Sequence, residues 1–403
     1  LTSLTGQEYC YISGVRSWAL LGNHPQCGER LALSQDFITK NIEEASSFPM
    51  RNLTISFVAL VGLAALSSTA NAQEIKIGGS LGINYSNNFN KPAGGNTFLY
   101  NSKDAQFSLN LAELTVSREA TARNRGGFHL RFIDGDVRNA LLMPGAFVAE
   151  AYGTQLIEAG NKDIRLDVGQ YRTLVGSEGL GIDNFISRSF AFQFLTPILG
   201  QGARAGFDLN DSTRVTGSIQ NKYSGTGEDN RDLSYGLTID KKLGDASDLR
   251  LNLISGRENV GGNNRETNLA GFQYSRKLSD SNALHVDYTL RSGRDAAATR
   301  YEATGVKGVL VLGQSNGGSL SLRGEYLQQN SADSGVLPTL TATPGTKPTL
   351  TSIAVSYKLA ATSKTVSTVI EYRYDRSNDF FFGASNGLKK DQGTLSIAQV
   401  YKF

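Results

Sequence analysis

Ionisable side chains in this sequence recur at every second position of segments whose other positions are apolar. Arg131, Arg165, Arg204, Arg214, Lys222, Arg250, Arg291, Arg323 and Arg373 take the same face as Glu150, Asp167, Asp208, Asp240, Asp287, Glu325 and Glu371. Nine basic against seven acidic groups would make a wet wall with a weak cationic tilt. Such a wall either keeps an interior solvated or biases ion passage toward anions. Covalent and metal chemistry find little support, because H-E-x-x-H, G-x-S-x-G and P-loop spacings are absent. Beyond residue 72 the only histidines are His129 and His285, both on the charged face, and there is no cysteine. A Ser–His pair facing lipid is therefore missing, and metal ligands reduce to scattered carboxylates. No catalytic residue, metal site or cofactor is expected, and the chain does not read as an enzyme.

The elements that must position these charges are strands. In FHLRF, Phe128, Leu130 and Phe132 alternate with His129 and Arg131, and in IRLDV, Ile164, Leu166 and Val168 alternate with Arg165 and Asp167. LSYGLTID, LRLNL, LHVDYTLR, LSLRGEY and VIEYRY repeat the pattern. Period two is the signature of a strand. Soluble strands run about five or six residues, whereas these run nearer ten, the length that crosses a bilayer at a tilt. After residue 72 no apolar run suffices for a helical span, so a membrane form must be a closed barrel.

Connections alternate in length. Long ones are expected near 90–102, 134–146, 175–199, 224–231, 258–266, 292–299, 330–348 and 376–392, with shorter turns between them around Gly160, Asp211, Lys242, Lys277, Gly313 and Lys358. Pro92, Pro144, Pro197, Pro338, Pro344 and Pro348 all fall in the long connections, as befits a residue that cannot donate to a ladder. The fold class that follows is all-β: a transmembrane antiparallel β-barrel of about 16 strands, with short periplasmic turns and long extracellular loops. Helix is expected at most near Gly181 to Ser187. Glu113 shares the parity of Leu109 and Leu111, which calls for a bulge near Ala112 or a shifted register. The last segment, GTLSIAQVYKF, alternates to its final residue, so an edge there needs a partner strand.

The N-terminal region has a different character. From Met50 the sequence MRNLTISFVALVGLAALSSTANAQE has a basic start at Arg51, an apolar stretch and an Ala70-Asn71-Ala72 site, the layout of a secretory signal peptide cleaved after Ala72. Residues 1–49 then read as an upstream segment translated by mistake, 50–72 as the signal and 73–403 as the barrel. The apolar run is short for a transmembrane anchor. Both cysteines, Cys10 and Cys27, and the single Trp18 precede Met50. Removing residues 1–72 leaves 36 basic and 32 acidic residues of 40 and 37, a balance that does not suggest a nucleic-acid partner.

The 175–199 connection, VGSEGLGIDNFISRSFAFQFLTPIL, is long and rich in Phe. Folded into a lumen, it would bury Phe185, Ile186, Phe190, Phe192, Phe194 and Leu195, carry Glu178, Asp183 and Arg188 inward and act as a constriction. The alternative is a loop packed over the barrel mouth. Three consecutive Phe in NDFFFGASNGLKK, 378–390, are expected to pack on a neighbouring loop.

The region from Tyr85 to Tyr223 resembles the β-barrel porins called OmpL-like, or porin-2. YSNNFNKPAGG, FSLNLAEL, LDVGQYRTLVGSEGLGIDNFISRSFAFQF and GQGARAGFDLNDSTRVTGSIQNKY carry the likeness. They include the Gly169–Tyr171 strand end, the N-x-x-S-R-S element at Asn184–Ser189 and the G-A-R strand at Gly202–Arg204. The C-terminal half is similar to general outer-membrane porins, with Phe403 matching their terminal aromatic; Tyr401 and Phe403 would then be the signal presented to the barrel assembly machinery. The resemblance implies a pore-forming outer-membrane barrel, with no catalytic residues and no particular substrate. The expectation is a passive channel for ions and small hydrophilic solutes, with weak anion preference and a homotrimer as the candidate assembly. A substrate-specific anion channel and a non-conducting structural or adhesive barrel are the alternatives.

Overall fold

The computed structural model describes residues 74–403 except 94, 97–102, 141–147, 226–229, 261–262, 295–299, 331–346, 361–362 and 364. The leader 1–49, the signal peptide with its cleavage after Ala72, Pro144, Pro338 and Pro344 lie outside the described residues.

Sixteen strands close into one antiparallel barrel. In chain order they are β1 (Lys76–Asn88), β2 (Gln106–Arg118), β3 (Gly126–Asp134), β4 (Val148–Ala159), β5 (Lys162–Arg172), β6 (Leu199–Asn210), β7 (Thr213–Gln220) and β8 (Ser234–Lys242). There follow β9 (Ser247–Val260), β10 (Asn263–Lys277), β11 (Asn282–Arg294), β12 (Arg300–Gly313), β13 (Ser319–Gln329), β14 (Thr349–Lys358) and β15 (Val366–Ser377). A small hairpin, β16 (Phe382–Ala384) and β17 (Gly387–Lys389), precedes the closing strand β18 (Asp391–Lys402). Two short helices lie in connections, α1 (Asp136–Ala140) and α2 (Phe190–Phe194).

The alternation fixes which way each strand faces. In β14 the side chains of Thr351, Ile353 and Val355 are exposed while Leu350, Ser352, Ala354 and Ser356 are buried. Apolar side chains outward and small or polar ones inward invert a soluble sheet, and lipid is the solvent that makes this stable. Closure removes the edge left by the final strand. β1 pairs with β18 from Ser80↔Lys402 to Asn88↔Thr394, and Phe403 continues the seam by exchanging backbone hydrogen bonds with Gly79 at 3.1 and 3.2 Å. Tyr401 faces outward on β18, and Phe403 is exposed.

The strands correct the sequence reading at three places and locate the bulge expected near Ala112: it sits at Asn110 in β2, where Leu111 pairs with Gly82 and Leu109 with Ile83. Leu111 thereby turns inward and becomes buried, and Glu113 follows it to meet Arg131. No loop spans 258–266: β9 runs to Val260 and β10 starts at Asn263, with Glu258 opposite Arg265. This hairpin carries polar residues on both faces where it outgrows the apolar band, so alternation of hydrophobicity stops before the strand does. Residues 181–187 form no helix; the helix is α2, whose Ser189 accepts a hydrogen bond from the Phe192 amide at 3.2 Å as its N-cap. Lys222 lies past the end of β7, in the β7–β8 connection.

One glycine is indispensable to the wall. Gly169 in β5 has φ +139°, and a Cβ there would come within 2.2 Å of the Ala151 carbonyl oxygen. Both the backbone conformation and the contact exclude a side chain. Gly169→Ala is expected to cost on the order of 1–3 kcal/mol and to lower the midpoint of the heat-induced mobility shift on electrophoresis, whereas Gly153→Ala, with open space at its Cβ, should leave that midpoint unchanged.

Candidate pore and its inward loop

The β5–β6 connection, 173–198, touches strands on opposite sides of the barrel. Its Leu174 carbonyl accepts from Arg250 on β9 and Gln273 on β10, each at 3.4 Å, and Ser177 donates to Asp287 on β11 at 2.6 Å. Leu180 packs with Leu111, Ile133, Val137 and Ala149, from β2 to β4 and α1. Ile182 is buried with Val369, Ala398 and Val400, and Asp183, largely exposed, approaches Lys402 at 3.3 Å near the short-turn end of β18. The chain then returns past β15 and β13 and ends with the Phe194 carbonyl accepting from Arg291 on β11 at 3.2 Å. A segment with these partners, many of them mid-strand, runs through the bore.

Its seat is a buried ionic cluster centred on Ser187. The Ser187 hydroxyl donates to Glu371 and accepts from Arg323 at 2.9 Å and Arg373 at 3.1 Å, which uses all of a hydroxyl's hydrogen-bonding capacity. Glu371 also accepts from the Ile186 and Ser187 amides. Arg323 donates to the Ser187 carbonyl at 2.8 Å, and Arg373 to the Arg188 carbonyl at 2.6 Å. Glu325 lies 3.3 Å from Arg323 and 3.2 Å from Arg373 and accepts from the Phe190 amide. Arg323 lies over the Phe185 ring at 4.6 Å and Arg373 over Phe190 at 4.5 Å. Arg188 does not reach into open space: its guanidinium is buried and holds the carbonyls of Leu180, Gly181 and Phe185.

A second anchor joins Glu178 to Lys307 on β12 at 3.0 Å, with Asp287 on the other side of the ammonium at 2.7 Å. Glu178 also accepts from the Ser189 amide at 3.0 Å. Burial alone would raise its carboxyl pKa, but Lys307, Arg323 and Arg188 outweigh burial and hold it down at about 2. The Phe triplet packs on the same loop. Phe382 is fully buried against Phe190, and Phe381 meets Phe194 edge-on at 6.3 Å between centroids, while Phe380 stays exposed.

On the other side the lumen is open. A cavity of about 1200 Å³ lies between the first turn of the loop, Arg172 to Ser177, and the short turns at Lys162, Asp211, Lys242 and Asp248. Seven basic and six acidic residues line it, with His285. Arg250 pairs with Asp240 at 2.5 Å, Arg214 lies 4.0 Å from Asp208, and Arg204 binds Asp167 at 2.9 Å while its guanidinium lies over Tyr171 and Tyr152 at 4.6 and 5.2 Å. Arg165 also holds Asp167, at 3.0 Å. Arg131 joins Glu113 and Glu150 beside His129, whose ring stacks on Tyr152. Twelve of the sixteen charges singled out in the sequence fall into two groups. Arg291, Arg323, Arg373, Asp287, Glu325 and Glu371 seat the loop, and Arg204, Arg214, Arg250, Glu150, Asp208 and Asp240 border the cavity.

The family described as "Putative beta-barrel porin-2, OmpL-like" matches residues 74–403. The chain belongs to this family. No curated protein matches it. Solved structures share its fold: the anion-selective porin from Comamonas acidovorans has 11% identity and a TM-score of 0.58, covering 82% of this chain and 99% of its own. Outer-membrane expressed OmpT of Vibrio cholerae has 11% identity and a TM-score of 0.56, covering 83% and 99%. The outer-membrane channel DcaP of Acinetobacter baumannii has 7% identity and a TM-score of 0.55, covering 82% and 97%. Family and fold point to an outer-membrane channel rather than an enzyme.

In this porin-2 barrel, sequence reasoning missed Lys307 and Asp375. Asp375 shares the parity of Arg373 and binds it at 2.7 Å, so the signal was in the spacing. Lys307 was masked by its context, GVKGVLVL, where Val309 and Val311 follow it on the inward face. The Glu178 anchor has a pH signature. A carboxyl held at about 2 in the fold contributes stability above about pH 4.5 that drains away as pH falls toward 2. Wild type should exceed Glu178→Gln by on the order of 2–3 kcal/mol at pH 6, and thermal unfolding followed by gel mobility should show the gap closing near pH 2.

Proposed function

We propose that this porin-2 chain is a passive outer-membrane channel for ions and small hydrophilic solutes. The inward loop narrows one side of the bore, and flow passes the cavity bordered by Arg204, Arg214 and Arg250. The observation that carries this reading is the division of the lumen: a loop seated on Arg323 and Arg373 of β13 and β15, and an open, charged cavity of about 1200 Å³ bordered by β4–β11. Thirteen ionised groups of nearly balanced sign border that space, an arrangement that solvates it and leaves a weak preference for anions. The anion-selective porin of Comamonas acidovorans shares the fold at 11% identity, in keeping with that preference. A homotrimer is the proposed assembly, since a trimer form of Vibrio cholerae OmpT has the same fold, with a TM-score of 0.53. Export through the 50–72 signal with cleavage after Ala72, insertion by the assembly machinery through Tyr401 and Phe403, and surrounding outer-membrane lipid complete the proposal.

Planar-bilayer recordings of protein purified from outer membranes test it. Stepwise openings are expected, with a reversal potential across a potassium chloride gradient that indicates modest anion preference. Arg214→Gln with Arg250→Gln should shift that potential toward cation preference. Arg323→Gln, beneath the loop, should instead increase current noise with a smaller shift in selectivity. A folded, heat-modifiable barrel that inserts and carries no current would refute the channel and leave a structural or adhesive role.

A further inference from the structure

The outer wall carries a hollow that pore function does not use. On β8 to β11, about 510 Å³ lies between Tyr235 and Leu237 on one side and Leu290 on the other, with Leu253 and Ala270 between them. Register places Leu253, Ala270 and Leu290 in one row across three strands. Ala270, between two leucines, leaves the depression, and Tyr235 and Leu253 are more than half exposed along it.

One end of the hollow is polar. The next row toward the long connections is Ser255, Asn268 and Ser292, and Ser255 donates to the Asn268 side chain at 2.7 Å. Asn268 in turn donates to Glu266 at 2.8 Å. Beyond it Arg294 and Arg300 stand directly opposite each other, both exposed, and Arg257 stands opposite Glu266. Asp232, 3.8 Å from Arg257, and Glu302, opposite Ser292, also lie on this rim.

We propose that this hollow binds one outer-leaflet lipid, its acyl chain in the Leu253–Ala270–Leu290 slot and its phosphate at the Arg294–Arg300 pair. The inference rests on the outer-membrane placement proposed above. An apolar slot ending in hydroxyl and amide groups and then in two arginines paired across adjacent strands has the polarity sequence of an acidic amphiphile. Two arginines opposite each other suit a phosphate, whose oxygens accept from several N–H donors at once. The volume lies within the range of small-ligand pockets. A second copy of the barrel is the poorer occupant, because two convex walls leave a hollow unfilled, whereas a flexible chain fills it.

Native mass spectrometry of the detergent-purified barrel, titrated with phosphatidic acid or with phosphatidylcholine of the same acyl chains, tests the site. Wild type is expected to retain one phosphatidic acid at about fivefold lower concentration than phosphatidylcholine, equivalent to about 1 kcal/mol. Ala270→Phe, which fills the slot, and Arg294→Gln with Arg300→Gln should each abolish the difference while the protein stays heat-modifiable. Equal retention of the two lipids, or a preference that survives both variants, overturns the site. So does an Ala270→Phe variant whose oligomer dissociates with its lipid preference intact, since that makes the hollow a contact between copies. Because the readout needs no current, failure here leaves the channel proposal standing, and a silent channel leaves this site standing.

Discussion

Everything inside this barrel depends on one buried contact, the Ser187 hydroxyl between Glu371, Arg323 and Arg373. Two arginines and three carboxylates, including Glu325 and Asp375, are withdrawn from water there, and desolvation of that order is repaid only when the charges pair and their remaining hydrogen bonds are made. The loop supplies what the wall lacks, namely backbone amides for Glu371 and Glu325 and carbonyls for Arg323 and Arg373. Neither surface is satisfied alone. Wall and loop therefore specify each other, and removing one partner would leave an uncompensated buried charge, which costs about 3–5 kcal/mol.

The same element explains the S-R-S signature. Ser187 seats the loop on the wall, Arg188 gathers the carbonyls of Leu180, Gly181 and Phe185 to fold the loop on itself, and Ser189 caps α2 while its amide meets Glu178. Three consecutive residues thus serve three directions: wall, loop and helix. A polar tripeptide in a Phe-rich stretch is what lets an apolar segment lie across a charged bore, because Phe185 and Phe190 face guanidinium groups rather than water.

Strand identity was legible because lipid outside and charge inside impose a strict period of two, as in β14 and β15. The hairpin of β9 and β10 was not, since beyond the lipid both faces are polar and periodicity carries no signal there. Glu113 announced a bulge, yet its location at Asn110 depends on which residue pairs with Gly82, a long-range fact. Parity gave the inward direction of Arg323 and Arg204 alike. It could not tell that one is sealed beneath a loop and the other borders open space, because that depends on where a connection from a distant strand lies down. Lys307 escaped for a related reason: Val309 and Val311 follow it on its own face, and its partners, Asp287 across the β11–β12 register and Glu178 from the loop, are not its neighbours in sequence.

The seated loop also sets what the open side can be. It pairs with Arg291, Arg323 and Arg373 but also with Asp287, Glu325 and Glu371, so it withdraws as many carboxylates as guanidinium groups and leaves the excess of basic over acidic groups unchanged. Seven basic and six acidic residues border the cavity, with Asp240 against Arg250 and Asp208 against Arg214. Those pairs are partly exposed and hydrated, so salt screens them and each contributes little beyond its own neighbourhood. Arg204 is the exception, because Asp167 and two tyrosine rings fix its guanidinium in place. A fixed cation among screened pairs gives the proposed channel a weak and local selectivity, and its strength should depend more on how far the loop narrows the bore than on the number of arginines in the wall.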